Sequence, residues 1–170
     1  MTEHGIAGRL GGVLAAGVAA AALVSSGAGA EAHGKCHAVE GHFDLIPVGG
    51  PECTSPIGVC GRGTFRGGIR GDYFSLLQTI TFTDETPITG VVLITGDTVL
   101  GARAGERRGD LFFKDSGAFH TAGDGEFAEI FTITGGTEDF AGASGSLLTT
   151  GTYDFAAGGV GEYHGRVCHQ

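Results

Sequence analysis

From residue 39 onward the chain is a series of short β-branched and aromatic runs, each broken off by glycine, aspartate or proline, and that punctuation leaves few folds open. The runs are residues 39–48, GRGTFRGGIR, YFSLLQTITFT, TGVVLITGDTVLGAR, GDLFFKDSGAF, GEFAEIFTIT, SGSLLTTGTYDF and VGEYHGRVC. Each has the length and composition of a strand. Glycine supplies 34 of the 170 residues, and the later chain shows no long helical periodicity. Connections such as ARAGERRGD and TAGDGE are polar, glycine-containing hairpin loops. About eight short strands without crossover helices predict an all-β fold, a single closed antiparallel β-barrel. A barrel of about that size either fills its interior with side chains or holds one small ligand.

Residues 1–30 stand apart from that pattern. Arg9 precedes the uncharged run LGGVLAAGVAAAALVSS, and Ala28, Gly29 and Ala30 form a small-residue cleavage pattern, with a second one ending at Ala32. This is the layout of a secretory signal peptide, cut near Ala30 or Ala32; as a membrane anchor the run is short and rich in Gly and Ala. The β-barrel domain is then residues 31–170, enough for one core. The formal charge of −9 survives cleavage, because the leader carries one acid, Glu3, and one base, Arg9. An acidic chain with scattered basic residues is repelled by nucleic acid and by anionic lipid. Neither is an expected partner, no membrane contact is expected after cleavage, and the expected location is secreted, outside the cytoplasm.

Four cysteines remain after the leader: Cys36, Cys53, Cys60 and Cys168. Export makes disulfides the default. Cys53 and Cys60 flank the Pro-containing loop CTSPIGVC, which favours a local bridge. Cys36 and Cys168 lie near the two ends and can bond only if the first and last strands meet. Sequence alone leaves three pairings open. A metal site drawing on His37 and His169 is the rival, but no C-x-x-C is present and the spacings fit no zinc pattern. No metal and no cofactor is expected.

Strand alternation assigns faces. In YFSLLQTITF one face carries Phe74, Leu76, Gln78, Ile80 and Phe82; in GEFAEIFTI one face carries Phe127, Glu129, Phe131 and Ile133. Each apolar face holds one polar residue in its middle. If both look into the barrel, Gln78 and Glu129 are buried, and Glu129 needs a partner or a raised pKa. Candidate ligand-lining residues are therefore Phe74, Gln78, Phe127, Glu129 and Phe131, with Tyr153 and Tyr163 as phenols that could orient a ligand or simply pack. Glu129 is also the one candidate for catalysis. Glu40 and His42, and the alternating Glu162, His164 and Arg166, read as solvated outer faces.

The stretch ITGGTEDFAGASGSL (residues 133–147) fails the tests for chemistry. Its glycines lack the G-x-G-x-x-G spacing and no helix follows; no Lys occurs after Lys114 to complete a P-loop; Ser144 sits in G-A-S-G-S rather than G-x-S-x-G. A tight corner between two strands remains. This corner, with FAEIFTIT before it, GDLFFKDSG, CTSPIGVCGRGTF and the terminal GRVC, resembles the bacterial allene oxide cyclase barrel-like group, akin to plant dirigent proteins within the calycin-like barrels. The likeness runs from about Cys53 to Cys168. It implies an eight-stranded antiparallel barrel with a cavity, often oligomeric, in a group whose active members shape a reactive substrate inside the barrel. Where relatives commonly show G-G-T-G-R-F, this chain has Glu138 and Asp139 after Thr137, so a basic corner has become acidic. No catalytic set carries over residue by residue.

Three functional readings follow. The first is a barrel outside the cell that binds a small hydrophobic molecule or serves as a scaffold. The second is a cyclase or isomerase, with Glu129 as acid or base. The third is a cell-surface structural protein acting through a homo-oligomer.

Overall fold

The glycine-broken runs become eight antiparallel strands in a computed structural model that describes residues 34–122 and 125–169. The expected leader, with cleavage at Ala30 or Ala32, lies outside the described residues. The strands are β1 (Lys35–Val48), β2 (Cys60–Gly67), β3 (Gly71–Thr81), β4 (Val91–Ala104), β5 (Arg107–His120), β6 (Glu126–Gly136), β7 (Ser144–Asp154) and β8 (Gly158–His169). Each pairs with the next, and β1 pairs with β8, so the sheet is a closed barrel. A single helical turn, α1 (Thr86–Thr89), precedes β4. The first strand starts at Lys35, earlier than the apolar pattern predicts. Its polar opening, KCHA, is held by backbone pairing with β8 from Lys35↔His169 onward. Both disulfides form: Cys36 lies directly opposite Cys168 and is bonded to it, and Cys53 is bonded to Cys60.

The abundance of glycine has a packing cause. Inward-facing glycines sit cross-strand from large rings: Gly41 opposite Tyr163, and Gly161 opposite Phe43. A Cβ on Gly161 would lie 2.5 Å from Phe43 Cζ, and one on Gly41 would lie 2.6 Å from the Tyr163 hydroxyl. The rings lie over bare backbone, which lets an eight-stranded barrel hold Phe43, Phe65, Tyr73 and Tyr163 in one interior. Around Phe65, Ile69, Leu100, Leu111, Leu147 and Tyr163 that interior is closed to solvent.

Strand β3 departs from its expected alternation. The register against β4 shifts between Leu77 and Thr79, which makes Gln78 a bulge residue. An extra residue reverses the side-chain parity beyond it. Before the bulge Tyr73, Ser75 and Leu77 face the lumen; after it Ile80 and Phe82 do. Phe74 lies opposite Arg62 and Val99 on the outer wall. Gln78 donates to Asp97 Oδ2 at 2.7 Å, beside the outer Asp97–Lys114 ion pair. The inward placement expected for Phe74 and Gln78 is thus corrected.

The stretch 133–147 is a corner. A 3-10 turn (Glu138–Phe140) follows β6, and it buries Phe140 in the end of the barrel. Thr137 fastens it, its amide donating to Asp110 O and its hydroxyl accepting from Asp110 N, while Asp139 accepts from the Arg108 amide. Glu138 has φ 49°, the one described non-glycine residue in the left-handed region. That conformation costs about 1 kcal/mol for an L-residue.

Two stability measurements follow. In the chain-entropy view the end-to-end bridge contributes about 5 kcal/mol and the local one about 2.5 kcal/mol. Guanidinium denaturation of Cys36→Ser/Cys168→Ser is expected to show roughly twice the loss of Cys53→Ser/Cys60→Ser; equal losses contradict that ordering. Glu138→Gly is expected to raise stability by about 1 kcal/mol, and a decrease would show that the Glu138 side chain outweighs its backbone strain.

Candidate functional site

One end of the barrel is not filled. A cavity of about 270 Å³ opens between the later part of β1, the end of β3, and the ends of β5 and β7 that face it. Its wall is largely apolar: Phe43, Leu77, Ile94, Phe119, Phe127 and Phe131. At its rim Phe119, Tyr153 and Phe155 meet edge to face, with ring centroids 5.2–6.4 Å apart. Phe82 and Phe155 also line the cavity while remaining exposed, at 70% and 51%. An aromatic-walled pocket with few polar groups is the usual form of a site for a small apolar ligand.

Among the described residues lining the cavity Glu129 is the one with an acidic or basic side chain. It projects from the middle of β6, between Gly117 of β5 and Thr149 of β7, where alternation places it inside with Phe127 and Phe131. Gly117 is what makes room: a Cβ there would lie 2.6 Å from Glu129 Cγ. No described residue donates a hydrogen bond to the carboxylate. Burial pushes the Glu129 carboxyl up to about 8, and the charge of Asp115 adds to the rise.

Asp115 is the second acid of the interior, on β5 and 7% exposed. Its Oδ2 accepts a hydrogen bond from the Thr98 hydroxyl at 2.6 Å, and its Oδ1 has no partner. Burial pushes this carboxyl up to about 7, against the Thr98 hydrogen bond, which favours the anion. Asp115 was open to discovery by the alternation that exposes Glu129: Leu111, Phe113, Asp115, Gly117 and Phe119 share one face of GDLFFKDSGAF. With its pKa raised to about 8 Glu129 keeps most of its proton near pH 7, whereas Asp115, raised to about 7, is there about half ionised; each donates a hydrogen bond only in its protonated form. Tyr73 belongs to the same interior. Its hydroxyl donates to Asp44 O at 2.9 Å, and burial raises its pKa strongly, with Asp44, Glu129 and Asp115 adding.

The structure brings Phe127, Glu129, Phe131 and Tyr153 together around the cavity. Phe74 and Gln78 lie outside it, for the reason given by the β3 bulge. Tyr163 points inward but packs below the cavity: its hydroxyl donates to Ile69 O at 2.6 Å and accepts from Ile69 N at 3.0 Å. Its polar valence is spent on the chain segment that crosses the barrel end, which corrects its expected role as a lining residue. The four cysteines are consumed in disulfides. Glu40, His42, Glu162, His164 and Arg166 are exposed on the outer wall. Among the described residues no three His, Cys, Asp or Glu side chains converge as a metal site.

The fold and site together define a closed eight-stranded antiparallel barrel with an aromatic cavity and two interior acids, the half-buried Glu129 and the buried Asp115. No protein-family model matches the chain, and no curated protein or solved structure gives a significant match.

The acid pair sets a pH dependence. A carboxyl whose pKa is raised by folding keeps its proton after the unfolded chain has lost it. The Glu129 contribution is therefore neutral below its ordinary value of 4.5, and stability falls as pH climbs toward about 8. The slope is at most about 1.4 kcal/mol per pH unit for each retained proton. Urea midpoints at pH 5 and pH 8.5 are expected to show a smaller fall for Glu129→Gln than for the wild type, the remainder belonging to Asp115. An equal fall in both proteins would place the Glu129 carboxyl in water.

Proposed function

We propose that the protein is an extracytoplasmic barrel that binds a small, mainly apolar molecule in its open end. The observation that carries this reading is the unfilled aromatic cavity, walled by Phe43, Phe119, Phe127 and Phe131 and provided with a single carboxyl, Glu129. A scaffold alone gains nothing from such a gap, because an unfilled apolar space forfeits dispersion contacts that a side chain could make. The two disulfides are compatible with an oxidising compartment, and the leader pattern of residues 1–30 supports export. The resemblance to the allene oxide cyclase barrel-like group supports the same use of the lumen.

A second reading has its own observation. Glu129 is a carboxyl held protonated near neutral pH at the wall of an apolar cavity, the setting of a general acid. In a cyclase or isomerase the rings would hold the substrate folded while Glu129 moves a proton. The binding reading needs only the cavity; the catalytic one also needs the carboxyl.

Nile red, a neutral dye whose emission rises in apolar surroundings, tests the binding reading. Saturable binding is expected, and it is expected to weaken at least tenfold in Leu77→Trp, whose indole would fill the cavity. Circular dichroism checks that this variant keeps the fold. Absence of saturable binding, or binding that Leu77→Trp leaves unchanged, overturns the proposal.

A further inference from the structure

The far end of the barrel carries the opposite chemistry. There the starts of β1 and β5, the end of β8, the loop at Gly68 and the corner residue Phe140 enclose a second pocket of about 340 Å³. It is separated from the apolar cavity by the packed layer of Phe65, Leu100, Leu111, Leu147 and Tyr163. Its polar wall is His37, Arg107 and His169, and among the described residues no carboxylate lines it. That is unusual in a chain with ten Lys and Arg against nineteen Asp and Glu.

Two nitrogens in this pocket are buried without a hydrogen-bond partner: Arg107 Nη1 and His169 Nε2. A guanidinium nitrogen out of water is costly unless an acceptor meets it. The carboxylates on the neighbouring elements do not serve. Glu40, Glu106, Glu138 and Asp139 are all exposed, and none lines the pocket. Asp139 is engaged with the Arg108 amide, and the ion pairs among the described residues involve Arg62, Arg66 and Lys114, not Arg107.

The histidines add to the positive character. The His37 and His169 rings stack nearly parallel, with centroids 5.0 Å apart and an interplanar angle of 6°. His169 is 7% exposed, covered by close neighbours although it sits at the rim of the barrel. Its pKa is lowered by burial first, then by the positive charges of Arg107, His37 and Lys35. These groups repel one another, and an anion among them would relieve the repulsion.

We infer that this pocket is an oxyanion-binding site, in which Arg107 and His169 hold a phosphate, sulfate or carboxylate group through their unpartnered nitrogens, with His37 stacked behind. Arg107 gives a planar fork suited to such groups. The remaining wall, Val39, Ala104, Phe140 and Val167, is apolar, and the volume exceeds that of a bare inorganic ion. The fit is to a small organic oxyanion, with inorganic phosphate as its minimal form. The site is independent of the apolar cavity, and it stands whether or not that cavity binds anything.

Imidazole NMR signals of the purified protein at pH 6.5 test this, with inorganic phosphate, phenyl phosphate and the neutral control phenol at constant ionic strength. Saturable shifts of His37 and His169 are expected with both phosphates and not with phenol. Tighter binding of phenyl phosphate identifies an organic ligand, and equal affinities identify the inorganic ion. Arg107→Gln is expected to weaken binding at least tenfold while leaving the unliganded protein as stable as the wild type or more so, because it removes a half-buried cation with one buried, unpartnered nitrogen. Arg62→Gln, on the outer wall, serves as the control and is expected to bind normally. His169→Gln, which keeps a donor but cannot become cationic, is expected to weaken binding less than Arg107→Gln. The inference is overturned if the imidazoles do not respond saturably, if Arg107→Gln binds as tightly as the wild type, or if zinc shifts both rings while phosphate shifts neither.

Discussion

Closure of β1 onto β8 is the constraint on which everything else rests. Eleven residue pairs run from Lys35↔His169 to Leu45↔Gly159, and the Cys36–Cys168 bond ties the strand ends in the same register. Without that seam the sheet would have two long edges with unpaired amides and carbonyls, and no inside. The seam also brings each end of the molecule into being. It sets Phe43 over Gly161 at the floor of the apolar cavity, and it sets His37 against His169 at the opposite end. One pairing register, fixed along eleven residues, positions both candidate sites.

Within the closed sheet, the distribution of ring and glycine decides where space remains. At the lower levels rings and aliphatic chains from all sides interlock, and the Tyr163 hydroxyl captures the backbone of Ile69, so that the segment after β2 is drawn across the opening. At the upper levels some glycines still lie under apolar side chains, as Gly151 does under Phe127, but two lie against carboxyls. Gly117 admits Glu129 and Gly96 lies against Asp115, so two carboxyls occupy positions where a packed core would place apolar side chains. Burying them opposes folding, most strongly when they are ionised. A barrel that only had to be stable would fill those positions with Leu or Val. Their retention beside an unfilled cavity is what turns the upper end from a packing detail into a site.

How much of this was legible in the chain depended on how local the cause was. Strand number and antiparallel order follow from runs and glycines visible locally, whereas closure is expected only from the number of strands and rests on pairing between the two ends of the chain. The inner face of β6 could be read because that strand keeps its period of two through Phe127, Glu129, Phe131 and Ile133. The face of β3 could not, because the bulge at Gln78 depends on pairing with β4 and leaves no mark in the residues themselves. Tyr163 was visible as an inward phenol, but its partner Ile69 lies far away in sequence. Asp115 carries the same alternation signal as Glu129, but it is masked in GDLFFKDSGAF by the adjacent Lys114, which lies on the outer face and pairs with Asp97. The basic end was the least legible part. His37, Arg107 and His169 sit on three strands, and only closure and the shared tilt of those strands bring them to one pocket.

The two ends differ in kind, and the difference follows from burial acting on opposite charges. At the upper end, desolvation favours the neutral form of Glu129, the acid that lines the cavity, and to a lesser degree that of Asp115 beneath the wall, so the charge of that end is reduced near neutral pH. Such a cavity is suited to a neutral ligand, and among the described residues that line it there is no cation to hold an anionic one. At the lower end, Arg107 cannot shed its charge, and His169, its pKa lowered by burial and by the neighbouring positive charges, relieves the repulsion by staying neutral. Burial therefore reduces the charge of one end and leaves the other positive, with a dry layer of side chains between them. An acidic protein thus gains a positively charged recess without any basic surface, because three residues that look unremarkable in sequence are gathered by the geometry of a closed sheet.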